Sequence, residues 1–296
     1  VKQRFSWFVA AAAAVFAMLS CGSRSRPIGG PVTIENEGAR LAGTIYLPDA
    51  ARPPLAAAVL VHGSGRTTRE DMRFMRDQLL AMGIAVLAYD KRGAGESTGE
   101  YDNVGVRTSP ERMPLLGRDA LAALRVLELR PGFDRDRLGF VGLSQAGWII
   151  PSAMARAREG EVRWAVIKSG PAGSVGQEDA YSEATGDGFR PHEDLTTAQI
   201  DARVDAYDGP PGFDNLPALR TLHTPILWLL GAADESIPVR HTLANLQALV
   251  RAGAPITIRT YPAANHALFA PSGPVPFWAD VRQWLRAQGI PRSRRP

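Results

Sequence analysis

The sequence predicts an α/β protein: a mostly parallel sheet covered by helices on both faces. Three observations predict it. Short, continuous apolar runs recur along the chain, and a strand with no polar face is one buried on both sides, as in a parallel sheet. Segments with helical spacing of apolar residues separate these runs, the alternation that crossover units produce. Several runs end in small-residue turns that carry Ser, Asp or His, and open sheets gather functional groups at the carboxyl ends of their strands.

The first residues are of a different kind. Lys2 and Arg4 flank the start of an uncharged, alanine-rich run at residues 5–19. A membrane-crossing helix needs about 20 apolar residues, so this run reads as the apolar core of an export signal. It ends in Leu19-Ser20-Cys21-Gly22, and Cys21 is the single cysteine of the chain. Residues 1–21 are therefore expected to be a signal peptide of the lipoprotein type, with Cys21 as the lipid-attachment residue. An ordinary signal peptide cleaved nearby is the alternative. With one cysteine, no internal disulfide can form. Residues 22–31, rich in Ser, Arg, Gly and Pro, read as a tether. The expected protein is exported and held to a membrane by a lipid anchor, on the periplasmic or outer face.

The folded domain is expected over residues 32–290. Residues 32–37 and 41–47 alternate polar and apolar side chains around a Glu37-Gly38 turn, the pattern of an edge hairpin. Strands follow at 56–61, 84–89, 138–141, 164–167, 226–230 and 256–261, and helices at 69–82, 110–129, 146–158, 239–252 and 275–288. One stretch breaks the alternation. Residues 171–222 are rich in Gly, Pro and acidic residues, with a short helical pattern at 197–207. They are too long for a plain loop and are expected to form a small cap over the open end of the sheet. Residues 291–296 form a basic tail with Arg292, Arg294 and Arg295.

The net charge is +4, but the positive residues are scattered and not interleaved with aromatics, so nucleic acid is not an expected partner. No His or carboxylate cluster has metal-ligand spacing, and no dinucleotide fingerprint is present. Neither a metal nor a cofactor is expected.

The chemistry concentrates at three strand ends. After residues 138–141 comes Gly142-Leu143-Ser144-Gln145-Ala146-Gly147. A strand, a small residue, a serine and another small residue leading into a helix make a sharp turn that exposes the serine hydroxyl in a strained backbone. Ala146 stands where a second glycine is usual. Ser144 is the candidate nucleophile, although such turns also occur in α/β proteins without this role. A serine needs a base, and the base an orienting acid. Asp234 follows residues 226–230 and His266 follows residues 256–261, so both lie at strand ends like Ser144. Taken singly, Asp234 could cap the next helix, Glu235 is a rival acid, and His266 could be structural. Their joint placement points to Ser144, Asp234 and His266 as a catalytic set. His62-Gly63-Ser64-Gly65 ends the 56–61 strand, and its backbone can turn toward the nucleophile. The backbone N–H groups of Ser64 and Gln145 are the expected oxyanion donors, with His62 packed beneath the loop. Tyr89-Asp90-Lys91-Arg92-Gly93-Ala94-Gly95-Glu96-Ser97 is read as scaffold whose charges tie neighbouring loops.

Together these motifs resemble the α/β-hydrolase superfamily over residues 32–290, near the bacterial esterases of its dienelactone-hydrolase-like and prolyl-oligopeptidase-like branches. The resemblance implies an eight-stranded sheet with a cap after the sixth strand. It also implies Ser144 as nucleophile, His266 as general base then acid, and Asp234 as its orienting partner. Serine at the elbow is unlike haloalkane dehalogenases, which place an aspartate there, and unlike dienelactone hydrolases proper, which use a cysteine. The expected activity is hydrolysis of carboxylic esters of small or medium acyl groups through an acyl-enzyme, with a small-molecule ester as partner. The expected pocket lining is Tyr181, Phe189 and Tyr207 of the cap, with Trp148 fitting the core better than the pocket. One alternative is an exported serine peptidase with the same triad, although such peptidases usually carry a propeller domain. The other is a non-catalytic binding lipoprotein that keeps the fold.

Overall fold

A computed structural model describes residues 29–49 and 51–290. The signal-peptide and lipid-anchor expectations, most of the tether and the basic tail lie outside these residues.

The sheet has eight strands. The edge hairpin forms β1 (Gly30–Asn36) and β2 (Ala39–Tyr46), paired antiparallel with Ile34 opposite Leu41. Gly30 and Pro31 thus belong to β1 and not to the tether. The remaining strands are β3 (Leu55–Val61), β4 (Ala85–Tyr89), β5 (Phe133–Leu143), β6 (Trp164–Lys168), β7 (Ile226–Gly231) and β8 (Ile256–Tyr261). Their order across the sheet is β1-β2-β4-β3-β5-β6-β7-β8. β2 meets β4 antiparallel, and every pairing from β4 through β8 is parallel. β5 begins well before the expected residue 138, because its polar first half, Asp134 to Arg137, hides the strand pattern.

Helices cover both faces. On one lie α2 (Ser109–Glu128), α3 (Ala146–Met154) and α7 (Val239–Arg251), whose Met113, Leu124, Ile150 and Leu246 share one buried cluster with Ala57, Val59 and Val61 of β3. On the other lie α1 (Arg73–Ala81) and α8 (Phe277–Ala287), whose Met75, Leu79, Val281 and Leu285 share a second buried cluster with Ala56, Ala58 and Leu60 of β3. Alternate residues of β3 thus feed opposite layers, the reason its run is continuously apolar. Burying each large side chain of these layers contributes about 1.5–3 kcal/mol.

Between β6 and β7 the chain forms α4 (Val175–Thr185), a 3-10 turn at Gly186–Gly188, α5 (Thr197–Asp205) and α6 (Leu216–Leu219). Ser174 and Thr196 cap α4 and α5, the latter in a reciprocal capping box with Gln199. This segment is tied to the sheet by Asn215. Its fully buried side chain donates to the carbonyls of Gly147 (2.7 Å) and Pro171 (2.9 Å) and accepts from the Gly173 N–H (2.9 Å). After β8 a two-residue hairpin, β9 (Phe269–Ala270) with β10 (Gly273–Pro274), precedes α8. Among the described residues no helix is long and apolar enough to cross a membrane.

Candidate active site

Ser144 sits between β5 and α3 with φ of +54°, a conformation that strains any residue with a Cβ. The turn holds because its backbone is bonded on both sides. The Ser144 N–H donates to the Lys168 carbonyl (2.8 Å), and its own carbonyl accepts from the Gly147 N–H (2.8 Å). The small residues are steric requirements. A Cβ on Gly142 would lie 2.4 Å from the Cβ of Ala146 and 2.9 Å from the Val61 carbonyl. Ala146, where the usual pattern has glycine, therefore fills space that Gly142 leaves. The demand for glycine moves one residue on, where a Cβ on Gly147 would lie 2.8 Å from backbone atoms of Pro171.

Asp234 and His266, 32 residues apart in sequence, meet. The His266 Nδ1 lies 2.8 Å from Oδ2 and 3.0 Å from Oδ1 of Asp234. A carboxylate accepts, so Nδ1 carries the proton and Nε2 is left with a free lone pair. The Asp234 side chain is fully buried, and its Oδ1 also accepts from the N–H groups of Ser236 (2.8 Å) and Ile237 (3.3 Å). These two N–H groups belong to the turn before α7, whose N-cap is Pro238, so Asp234 braces that turn and does not cap the helix. Glu235 is exposed and makes no bond to His266, so the rival acid is set aside. The His266 backbone is held from below: its carbonyl accepts from Lys168 Nζ (2.8 Å) and Ser169 Oγ (2.7 Å).

Ser144 and His266 line one cavity of about 500 Å³, together with Gly63 and Ser64 of the loop after β3. Among the described residues, the N–H groups of Ser64 and Gln145 have no acceptor within the protein. The rest of the wall is mainly apolar: Met72, Phe74, Met75, Leu143, Phe269, Val275, Phe277 and Trp278. This corrects the expected lining. The aromatics come from α1, β9 and the start of α8, not from the 171–222 segment. Trp148 is buried with its Nε1 donating to the Gly173 carbonyl (2.8 Å), as core packing requires. Tyr181 donates to the Asp234 carbonyl (2.8 Å), Tyr207 donates to the Pro210 carbonyl (2.8 Å), and Phe189 is 79% exposed.

The stretch after β4 does more than tie loops. Lys91 is 3% exposed and among the described residues has no carboxylate partner; its Nζ donates to the Gly63 carbonyl (2.8 Å), the Gly65 carbonyl (3.3 Å) and Gln145 Oε1 (2.7 Å). One ammonium thus fastens the two backbone segments whose N–H groups were expected to face an oxyanion. Burial pulls its pKa down to about 8. His62 lies beneath the loop as expected, with Nε2 2.5 Å from the Tyr89 carbonyl. Burial first, and the nearby Lys91 charge second, lower its pKa to about 4, so it stays neutral. Arg92 pairs with buried Asp119, which also accepts from Asn36 (2.7 Å). Among the described residues no group of three or more His, Cys, Asp or Glu side chains is placed to hold a metal ion.

A serine at a strained strand-to-helix elbow after β5, with an Asp–His pair after β7 and β8 of an eight-stranded sheet, defines a serine hydrolase of the α/β-hydrolase fold. The chain belongs to the prolyl oligopeptidase family, whose model matches residues 71–288. Among solved structures it is similar to an esterase of Pyrococcus furiosus, with a TM-score of 0.64 at 19% identity over 88% of this chain and 90% of that one. It is also similar to an acylaminoacyl peptidase of Pyrococcus horikoshii, with a TM-score of 0.64 at 15% identity over 90% of this chain and 42% of that one. At these identities the likeness is one of fold. An uncharacterised Pseudomonas aeruginosa protein is 30% identical over 126 residues, and the match spans 42% of this chain and 32% of that relative.

Proposed function

We propose that this protein hydrolyses carboxylic esters through an acyl-enzyme on Ser144. The observation that carries the reading is that His266, paired with the buried Asp234, lines the same largely apolar cavity as Ser144. In this scheme Ser144 Oγ attacks the ester carbonyl and His266 Nε2 takes its proton. Asp234 holds the imidazole in the Nδ1–H tautomer and stabilises the imidazolium. The N–H groups of Ser64 and Gln145 receive the charge that develops on the carbonyl oxygen, a contribution of about 10²–10³ in rate per donor. The imidazolium protonates the leaving alcohol. A water, activated by the same nitrogen, then releases the acid. The apolar wall favours an acyl chain, since each buried methylene adds about 0.8 kcal/mol of binding, and the volume of about 500 Å³ limits that chain to small or medium length.

The family favours a second reading, a peptidase that uses the same residues on amide bonds. Steady-state rates on p-nitrophenyl esters of graded acyl length, beside matched p-nitroanilides, separate the two. Turnover of the esters with kcat/KM well above the anilides is the expected result. Anilide turnover that matches or exceeds ester turnover would transfer the assignment to the peptidase.

We also propose export and a lipid anchor on Cys21, on the strength of Lys2, Arg4, the apolar run at 5–19 and the Leu19-Ser20-Cys21-Gly22 sequence. Membrane fractionation of the parent and Cys21→Ser checks it. The parent is expected with the membranes and the variant in the soluble fraction; identical partition would contradict the anchor.

A further inference from the structure

The cavity holds a positive charge that the proposed chemistry does not use. Lys168 ends β6, opposite Leu143 of β5, and its carbonyl accepts from the Ser144 N–H. The residue is 8% exposed and lines the cavity beside Ser144 and His266. The ammonium has three donors, and one is spent, on the His266 carbonyl at 2.8 Å. No carboxylate lies within ion-pair distance of it among the described residues. Asp234 is near enough to favour the charge but is committed to His266, Ser236 and Ile237. Asp71, the acidic residue of the cavity wall, is bonded to the N–H (2.7 Å) and Oγ1 (2.9 Å) of Thr68.

A buried cation without an anion is expensive, and burial pulls the Lys168 pKa down to about 8. Positioning the His266 loop does not explain that expense. Ser169 Oγ already donates to the same carbonyl at 2.7 Å without a charge. An anion entering the cavity would pair the charge and take up the spare donors.

We infer that Lys168 recognises a carboxylate on the substrate, and that the substrates are half-esters of short dicarboxylic acids. The apolar wall of Met72, Met75, Phe277 and Trp278 then takes the hydrocarbon remainder. The spacer between ester and carboxylate is short, because Lys168 is the strand neighbour of the residue that precedes Ser144. The inference rests on the ester-hydrolase reading of Ser144 and His266. The reaction adds one water, breaks the acyl C–O bond and releases the alcohol and the dicarboxylate. Lys168 exchanges no proton in it and acts as a specificity residue.

The test separates binding from turnover. Calorimetric titration of the Ser144→Ala protein with monobenzyl succinate, and with benzyl levulinate as its neutral counterpart, gives an affinity ratio. A hydrogen-bonded buried charge pair is worth on the order of tenfold to a hundredfold, so the succinate is expected to bind at least about tenfold more tightly. Adding Lys168→Met should abolish the ratio, and adding Lys168→Arg should keep most of it, with thermal melts reporting whether each variant folds. Equal affinity of the two ligands for Ser144→Ala overturns the inference whether or not the variants fold. So does a ratio that survives Lys168→Met. Turnover by the parent addresses the other reading: a binding ratio with no ester hydrolysis removes the esterase, and hydrolysis without a ratio removes the role of Lys168.

Discussion

Replacing Lys91 with methionine keeps the length of the stem and removes the ammonium that fastens Gly63, Gly65 and Gln145. Two of these bonds are buried, and a buried acceptor left without a donor costs about 1–3 kcal/mol. The loss is therefore about 2–6 kcal/mol. Against it stands the removal of a buried cation. Burial lowers the Lys91 pKa from 10.5 to about 8, an unfavourable contribution of about 3 kcal/mol at neutral pH. The two nearly offset, and the variant should fold with a stability within about 3 kcal/mol of the parent. Activity should respond differently. The tethered segments carry both proposed oxyanion donors, and losing the aim of one such donor costs about 10²–10³ in kcat. The expected result is a fall in kcat of that order on p-nitrophenyl butyrate, with KM little changed, since the tether acts on the transition state. Stability gives a second readout. Burial depresses the folded pKa, so between about pH 8 and 10.5 the unfolded chain binds more protons at this site. The Lys91 contribution to stability therefore rises through that window. Urea melts at pH 7 and pH 10 should show the parent gaining on the variant as pH rises. If Lys91→Met keeps kcat within about threefold of the parent, or loses it only as its folded fraction falls, the tether has no catalytic consequence and the reasoning fails.

Two further predictions follow from the geometry. Asp234→Asn should lower kcat by about 10⁴ while the fold persists, because an amide can donate to Nδ1 and stabilise the wrong tautomer; steady-state kinetics beside a thermal melt read both parts. Met75 is 7% exposed and lines the cavity, so Met75→Trp should fill part of its volume of about 500 Å³. An acyl-length series would then show octanoate ester turnover falling at least about tenfold relative to acetate; an unchanged profile would place the acyl group elsewhere.

The candidate triad was legible because each member follows a strand, continuously apolar before Ser144 and Asp234 and alternating before His266, and parallel strands of one sheet bring their ends together whatever the intervening sequence. The substitution at Ala146 was legible only as a small residue; that Gly142 makes room for it needed the turn in three dimensions. Lys91 was visible as part of a charged stretch, but a long side chain does not declare its destination. Its partner Gln145 lies 54 residues away, and Lys168 and Ser169 reach a carbonyl 98 and 97 residues away. The cavity wall was misplaced for a related reason. A Gly- and Pro-rich insertion draws attention as a cap, whereas the aromatics of the wall come one or two at a time from α1, β9 and α8. Strands of two residues such as β9 and β10 are too short to show a period.

The central claim is that Ser144 is a nucleophile activated by His266. It is tested most directly by treating the protein with a fluorophosphonate probe and mapping the labelled peptide by mass spectrometry, with Ser144→Ala and His266→Ala in parallel. The account predicts stoichiometric labelling on Ser144 in the parent, none in Ser144→Ala, and labelling slowed by orders of magnitude in His266→Ala. A folded parent that takes up no probe, or takes it up equally without Ser144, would contradict the account.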